Sequence, residues 1–147
     1  WMHQEIQLKS VHATSVSLEG KAVLIKGASG AGKSLLALEL IGFGAKLIAD
    51  DQTEVSLING QVFLSAPSTL PAGLEIRGVG IVGAPICDGA ELKMVVDLSK
   101  LENKRFPNLS DKKINVLGYS FPFYFFQGIK NPAAAIYALM KFGMVDI

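Results

Sequence analysis

Eight residues, Gly27-Ala28-Ser29-Gly30-Ala31-Gly32-Lys33-Ser34, constrain this chain more than any other feature. They fit G-x-x-x-x-G-K-[ST] at every defined position, the phosphate-cradling loop that joins a strand to a helix. Both flanks agree with that context. Residues 22–25 (AVLI) are a short continuous apolar run, as expected of a buried central strand. Residues 33–43 contain Leu35, Leu36, Leu38, Leu40 and Ile41, which suit a helix, and Gly42 and Gly44 supply its stop. Glycines let backbone amides wrap a polyphosphate, and the helix N-terminus adds its positive end. Lys33 is expected to reach the β- and γ-phosphates from a solvent-facing position in the empty protein, and the Ser34 hydroxyl to bind magnesium. The competing reading is a glycine-rich turn with a chance lysine. The motif speaks for phosphate and is silent on what receives it.

Asp50 and Asp51 follow at seventeen and eighteen positions after Lys33, at the end of a second apolar run, residues 46–49. Ligands collect at the carboxyl ends of parallel strands, so these carboxylates are expected to face the phosphates. There an acid can hold magnesium or take the proton of an attacking hydroxyl. Aspartate also favours turns for its own reasons, so a purely structural role stays open. In residues 74–80 (LEIRGVG), Glu75 and Arg77 are expected to share one face of a strand covering residues 74–82, offering a carboxylate to metal and a guanidinium to phosphate. Read alone, an exposed Glu–Arg pair is more often a solvated strand face. His12, in a strand-like stretch upstream, is by itself uninformative.

The rest of the chain reads as one domain, residues 1–147, with Trp1 ahead of Met2 set aside as foreign to it. Residues 4–10 and 11–18 alternate as half-buried strands do. Residues 54–58 and 61–65 flank Asn59-Gly60, a hairpin signal. Residues 66–89 are rich in proline and glycine and read as loops around the LEIRG strand. Residues 91–98 and 114–117 read as strands, and Asn131-Pro132 as the cap and first turn of a helix ended by Gly143. Alternating strand and helix signals indicate an α/β or α+β fold.

Fourteen basic residues against thirteen acidic ones give a net charge of +1, which makes no electrostatic case for nucleic acid. No apolar run reaches the roughly 20 residues of a membrane span. The most hydrophobic stretch, residues 121–126, is short and holds Pro122; most of its rings are expected in the core, with a role in self-contact as the alternative. One cysteine, Cys87, excludes an internal disulfide and speaks against a zinc cluster. No secretory signal is visible, and a cytoplasmic location is expected.

Together, Val11-His12-Ala13-Thr14, the loop and helix of residues 27–40, Leu47-Ile48-Ala49-Asp50-Asp51 and residues 74–82 (LEIRGVGIV) resemble the HPr kinase/phosphorylase family in its catalytic C-terminal domain. The resemblance is good over residues 10–83 and loose elsewhere. It implies an α/β, P-loop fold with a mixed sheet, similar to nucleotide-binding phosphoenolpyruvate carboxykinases. It also implies a kinase that uses ATP and Mg²⁺ to phosphorylate a serine of an HPr-like phosphocarrier protein, and a reverse reaction in which inorganic phosphate releases pyrophosphate. Hexamers are implied as well. Carried over by residue, His12 is the active-site histidine, Lys33 the loop lysine, and Asp51 the base. Ser34 and Glu75 are magnesium ligands, Asp50 is their helper, and Arg77 lies in a stretch used in both directions. On this resemblance the chain is expected to be a short member without the usual N-terminal domain, as in those associated with alphaproteobacterial phosphotransferase systems, with the C-terminal helical part cut short after Gly143. Residues 83–90 (GAPICDGA) also lack the arginine that the family carries there.

Two other functions compete. A small-metabolite kinase also places an acid after the loop helix, but closes an arginine-bearing lid; this chain has two arginines, Arg77 and Arg105. A regulatory module that binds ATP without transferring phosphate is the other, and the missing loop arginine keeps it open.

Overall fold

The computed structural model describes residues 6–68 and 73–145. The strand expected over residues 4–5 and the turn signal at Pro71 lie outside the described residues. In chain order the elements are β1 (Ile6–Val11), β2 (Thr14–Leu18), β3 (Lys21–Lys26), α1 (Lys33–Gly42), β4 (Lys46–Ala49), β5 (Thr53–Ile58), β6 (Gln61–Ser65), β7 (Gly73–Ile76), β8 (Gly80–Gly83), β9 (Gly89–Asp97), β10 (Lys113–Val116), β11 (Tyr119–Phe125) and α2 (Pro132–Phe142). The main sheet is mixed, in the order β1-β5-β6-β9-β3-β2-β4, with β11 beside the second half of β9 and β10 outside β11.

The most apolar segments take the centre. β3 pairs in parallel with β9 from Lys21↔Glu91 to Lys26↔Asp97, and β2 runs antiparallel to both β3 and β4. Strands β3, β4 and β9 therefore point the same way and deliver Gly27, Asp50 and Leu98 to one edge of the sheet. On one face Val23, Ile25, Met94 and Val96 pack with Leu36 and Leu40 of α1 and Ile136 of α2. On the other, Leu24, Leu92 and Val95 pack with Val55, Leu57, Val62 and Leu64 of the β5–β6 hairpin. Fully burying each such side chain contributes about 1.5–3 kcal/mol. The sheet curls over this second layer, bringing Ser15 Oγ within 2.9 Å of Thr53 Oγ1.

That curl overturns the half-buried reading of residues 11–18, because every residue of β2 is buried. The stretch is also interrupted. The Ala13 amide donates to the Val11 carbonyl (3.0 Å), a three-residue turn that lifts His12 out of the strand. Residues 74–82 form a hairpin, β7–β8, rather than one strand, with Arg77, Gly78 and Val79 in its turn; Glu75 and Arg77 thus do not share a strand face. The β5–β6 hairpin turns at Asn59 (φ 51°) and Gly60 (φ 78°) as its sequence specifies. Helix α1 ends on left-handed Gly44, with Gly44 and Ala45 amides returning to the Ile41 and Leu40 carbonyls. Asn131 precedes α2 at φ 54° and makes no side-chain cap, so only Pro132 acts there as expected.

The run at residues 121–126 becomes most of β11, with Phe123 buried and its neighbours half-buried. Residues 85–87 run along the free side of β4, where Leu47 donates to the Pro85 carbonyl (2.7 Å) and accepts from the Cys87 amide (2.8 Å). No helix of the described residues is long and apolar enough to cross a membrane.

Candidate active site

The loop between β3 and α1 is shaped by close approach. A Cβ at Gly27 would stand 3.2 Å from Ala31 Cβ and 3.3 Å from Leu98 Cβ, tighter than carbon atoms prefer. Gly32 takes φ 101°, a left-handed conformation that glycine adopts without penalty, and hands the chain to α1. The first-turn amides of α1 have no intrahelical acceptors, and the helix dipole makes that end attractive to anions. The Ala28 amide is taken by Ser99 Oγ (2.7 Å), and the Ser99 amide by Asp97 Oδ1 (2.8 Å). Asp97 and Ser99 went unnoticed in the sequence. Their position at the end of a strand beside β3 is the signal that could have found them.

Lys33 corrects an expectation. It is 5% exposed rather than solvent-facing, because its side chain folds back over the loop and Nζ donates to the carbonyls of Gly27 (2.9 Å) and Ala28 (3.2 Å). Helical side chains lean toward the N-terminus, which carries the ammonium over the loop carbonyls, of which that of Ala28 also accepts the Ala31 amide (3.0 Å). An ammonium has three protons. Two are engaged, and the third is left for a ligand or for Asp51, whose Oδ1 lies 4.0 Å away.

The two aspartates divide sharply. Asp50 Oδ1 accepts from Thr14 Oγ1 (3.0 Å) and Ser34 Oγ (2.7 Å), and Oδ2 accepts from the Glu75 amide (3.0 Å). It ties β2, α1 and β7 together. Asp51 is exposed, and its φ of 66° places a non-glycine residue in the left-handed region. The Gln52 amide donates to the Asp50 carbonyl (2.8 Å), so Asp51 is the apex of a strained three-residue turn. His12 is the apex of another. The two apices meet, with His12 Nε2 3.7 Å from Asp51 Oδ1.

Asp51 stands between two clefts. One, of about 800 Å³, is walled by Ser29, Gly30, Gly32, Lys33 and Ser34 on one side and by Glu75, Arg77 and Gly78 on the other. The second, of about 540 Å³, is lined by Ser10, Val11, His12 and Gln52 together with both aspartates. Of the site residues expected from sequence, His12, Ser29, Gly30, Gly32, Lys33, Ser34, Asp50, Asp51, Glu75 and Arg77 line one or both clefts, Gly27 and Ala28 meet them only through their carbonyls on Lys33 Nζ, and Ala31 lines neither. Among the described residues no three His, Cys, Asp or Glu side chains converge into a metal cage. Ser34, Asp50 and Glu75 offer oxygen alone, the donor type that suits magnesium when substrate phosphates and water complete its shell.

Residues 4–124 match the family model described as the HPr Serine kinase C-terminal domain. The chain is 35% identical over 125 residues to the HPr kinase/phosphorylase of Treponema pallidum (strain Nichols), covering 77% of this chain and 39% of that protein. It is 40% identical over 91 residues to the HPr kinase/phosphorylase of Clostridium tetani, covering 62% of this chain and 29% of that protein. The chain thus spans well under half the length of these curated relatives. The solved Hpr(Ser) kinase/phosphatase from Coxiella burnetii superimposes with a TM-score of 0.75 at 26% identity, over 90% of this chain and 88% of that one.

Proposed function

The chain belongs to the family of HPr serine kinase C-terminal domains, and we propose that it is an ATP- and Mg²⁺-dependent kinase acting on a serine of an HPr-like phosphocarrier protein. The observation that carries this reading is Asp51 Oδ1, set between the cleft beside the glycine-rich loop and the second cleft beside His12, 4.0 Å from Lys33 Nζ. The glycine-rich loop and the third proton of Lys33 hold the polyphosphate. Ser34 and Glu75, with Asp50 behind them, hold magnesium, which when bound neutralises charge on the phosphates. Asp51 Oδ1 accepts the seryl proton as the seryl oxygen forms its bond to the γ-phosphorus and the bond to the ADP oxygen breaks. His12, 3.7 Å from the same oxygen, steadies that carboxylate on the acceptor side. Arg77 serves the phosphates from the opposite wall.

The same groups support the reverse reaction, in which inorganic phosphate attacks the phosphoserine and pyrophosphate leaves. Asp51, then protonated, returns its proton to the serine. The domain also self-associates in this reading, as a hexamer by family resemblance. Exposed apolar side chains at and just beyond the end of α2, Phe142 (76% exposed) and Val145 (82%), offer contact area. Incubation with γ-labelled ATP, Mg²⁺ and a carrier protein tests the kinase reading. Label on a carrier serine supports it, and ATP bound without transfer replaces it with a regulatory module.

A further inference from the structure

Thr14 opens β2, is fully buried, and lies on the same face of the strand as Val16 and Leu18, which pack toward α1. A hydroxyl has one proton and two lone pairs. This one gives its proton to Asp50 Oδ1 (3.0 Å) and accepts the Asp51 amide (3.1 Å). One side chain therefore grips two consecutive aspartates that otherwise do different things. Asp50 keeps two other donors, Ser34 Oγ and the Glu75 amide. The Asp51 amide has Thr14 as its acceptor.

Asp51 needs such a hold. A left-handed φ is unfavourable for a non-glycine residue and persists where the surroundings over-determine it. The side chain of Asp51 is largely exposed, so its own packing contributes little, and the restraints lie in the backbone on either side of it.

We propose that Thr14 is a positioning residue for phosphoryl transfer, its hydroxyl locking the Asp51 turn so that Oδ1 faces both Lys33 and the acceptor. This rests on the kinase reading of Asp51. Valine has nearly the shape of threonine and can neither donate nor accept, and alanine removes the hydroxyl without adding a methyl group. In Thr14→Val and Thr14→Ala, kcat for carrier phosphorylation is expected to fall tenfold or more. The nucleotide KM stays within about threefold, because the loop and Lys33 are untouched. Thr14→Ser, which keeps the hydroxyl, recovers kcat to within about threefold of wild type.

A second readout does not depend on the acceptor. Amide exchange at Asp51, followed by NMR, is expected to be protected in wild type and Thr14→Ser and to quicken at least tenfold in the valine and alanine variants. Undiminished kcat in those variants, a serine variant as poor as valine, or unchanged Asp51 exchange would each overturn the proposal. Loss of nucleotide binding in both hydroxyl-free variants would make Thr14 a folding residue and overturn it too. A wild-type protein that transfers nothing to the carrier, yet shows the exchange pattern, would sink the kinase reading and leave the hold on Asp51 standing.

Discussion

Lys33 Nζ and Asp51 Oδ1 stand 4.0 Å apart, the ammonium buried in its loop and the carboxylate exposed on a strained turn. In the kinase reading each serves a different half of one reaction. Lys33→Ala is expected to weaken ATP binding and to lower transfer by about 10² to 10³, the usual loss when a charge-stabilising donor is removed. It also removes the Lys33 donor from the Gly27 carbonyl, whereas the Ala28 carbonyl keeps the Ala31 amide (3.0 Å). Asp51→Asn keeps ATP affinity and lowers transfer by about 10² to 10⁴. Asp51→Gly removes the same base while relieving the left-handed φ, so its thermal midpoint is expected at or above wild type. Nucleotide titration, turnover and thermal melting of the three variants check this. An Asp51→Asn protein within a few-fold of wild-type turnover would make Asp51 a turn residue and nothing more.

Acid stability carries a signature of the loop before β10. The Glu102 carboxyl is held below the ordinary carboxylate range by Lys112, whose Nζ lies 3.0 Å from Oε1. A carboxyl whose pKa falls on folding stabilises the fold above its unfolded value, about 4.3, and loses that contribution as the pH drops through the folded value. Glu102→Gln is therefore expected to unfold at lower urea concentration at pH 7. The two proteins converge below about pH 4. Curves separated by the same amount from pH 2 to pH 7 would contradict this.

The two directions of the reaction are expected to be unequal. Residues 83–90 contain no arginine, and residues 85–87 are pinned along β4 by backbone hydrogen bonds at Leu47. Arg105, the second arginine of the chain, sits over the Phe106 ring. Of the two, only Arg77 lines the cleft beside the glycine-rich loop. Lack of one charge-stabilising donor costs on the order of 10² to 10³ in rate. Phosphoserine-bearing carrier given millimolar phosphate without ATP should release pyrophosphate much more slowly than the kinase reaction runs. Equal rates would show that Arg77, or an arginine from a neighbouring subunit, makes up the difference.

Self-association is expected at micromolar concentration, with light scattering reading a multiple of 15.7 kDa. Phe142→Asp should shift the mass downward if the end of α2 forms the contact. A monomer mass for the wild-type protein would exclude the assembly.

Local chemistry was legible in the sequence and long-range chemistry was not. Asn59-Gly60 specifies its turn by itself, and the glycine-lysine loop specifies its own flanks, so both formed as read. Asp50 and Asp51 could be placed near the loop from strand order. The resemblance alone separates their roles and the residues themselves do not, because Asp50 is fixed by Thr14, thirty-six residues away, and by the Glu75 amide twenty-five residues on. Ser99 reaches the Ala28 amide from seventy-one residues away. The burial of β2 depended on a curled sheet, which strand alternation does not encode. Lys33 was misjudged because its nearest acceptors are backbone carbonyls, which every residue carries and no motif advertises.

The central claim is transfer of the γ-phosphoryl group of ATP to a carrier serine through Asp51. Its most direct measurement is mass spectrometry of an HPr-like carrier after incubation with ATP and Mg²⁺, using wild type, Lys33→Ala and Asp51→Asn side by side. One added phosphoryl group on a single serine, formed by wild type and reduced at least a hundredfold in both variants, is the expected result. An unmodified carrier beside a wild-type protein that binds ATP, or equal phosphorylation by wild type and Asp51→Asn, would contradict the account.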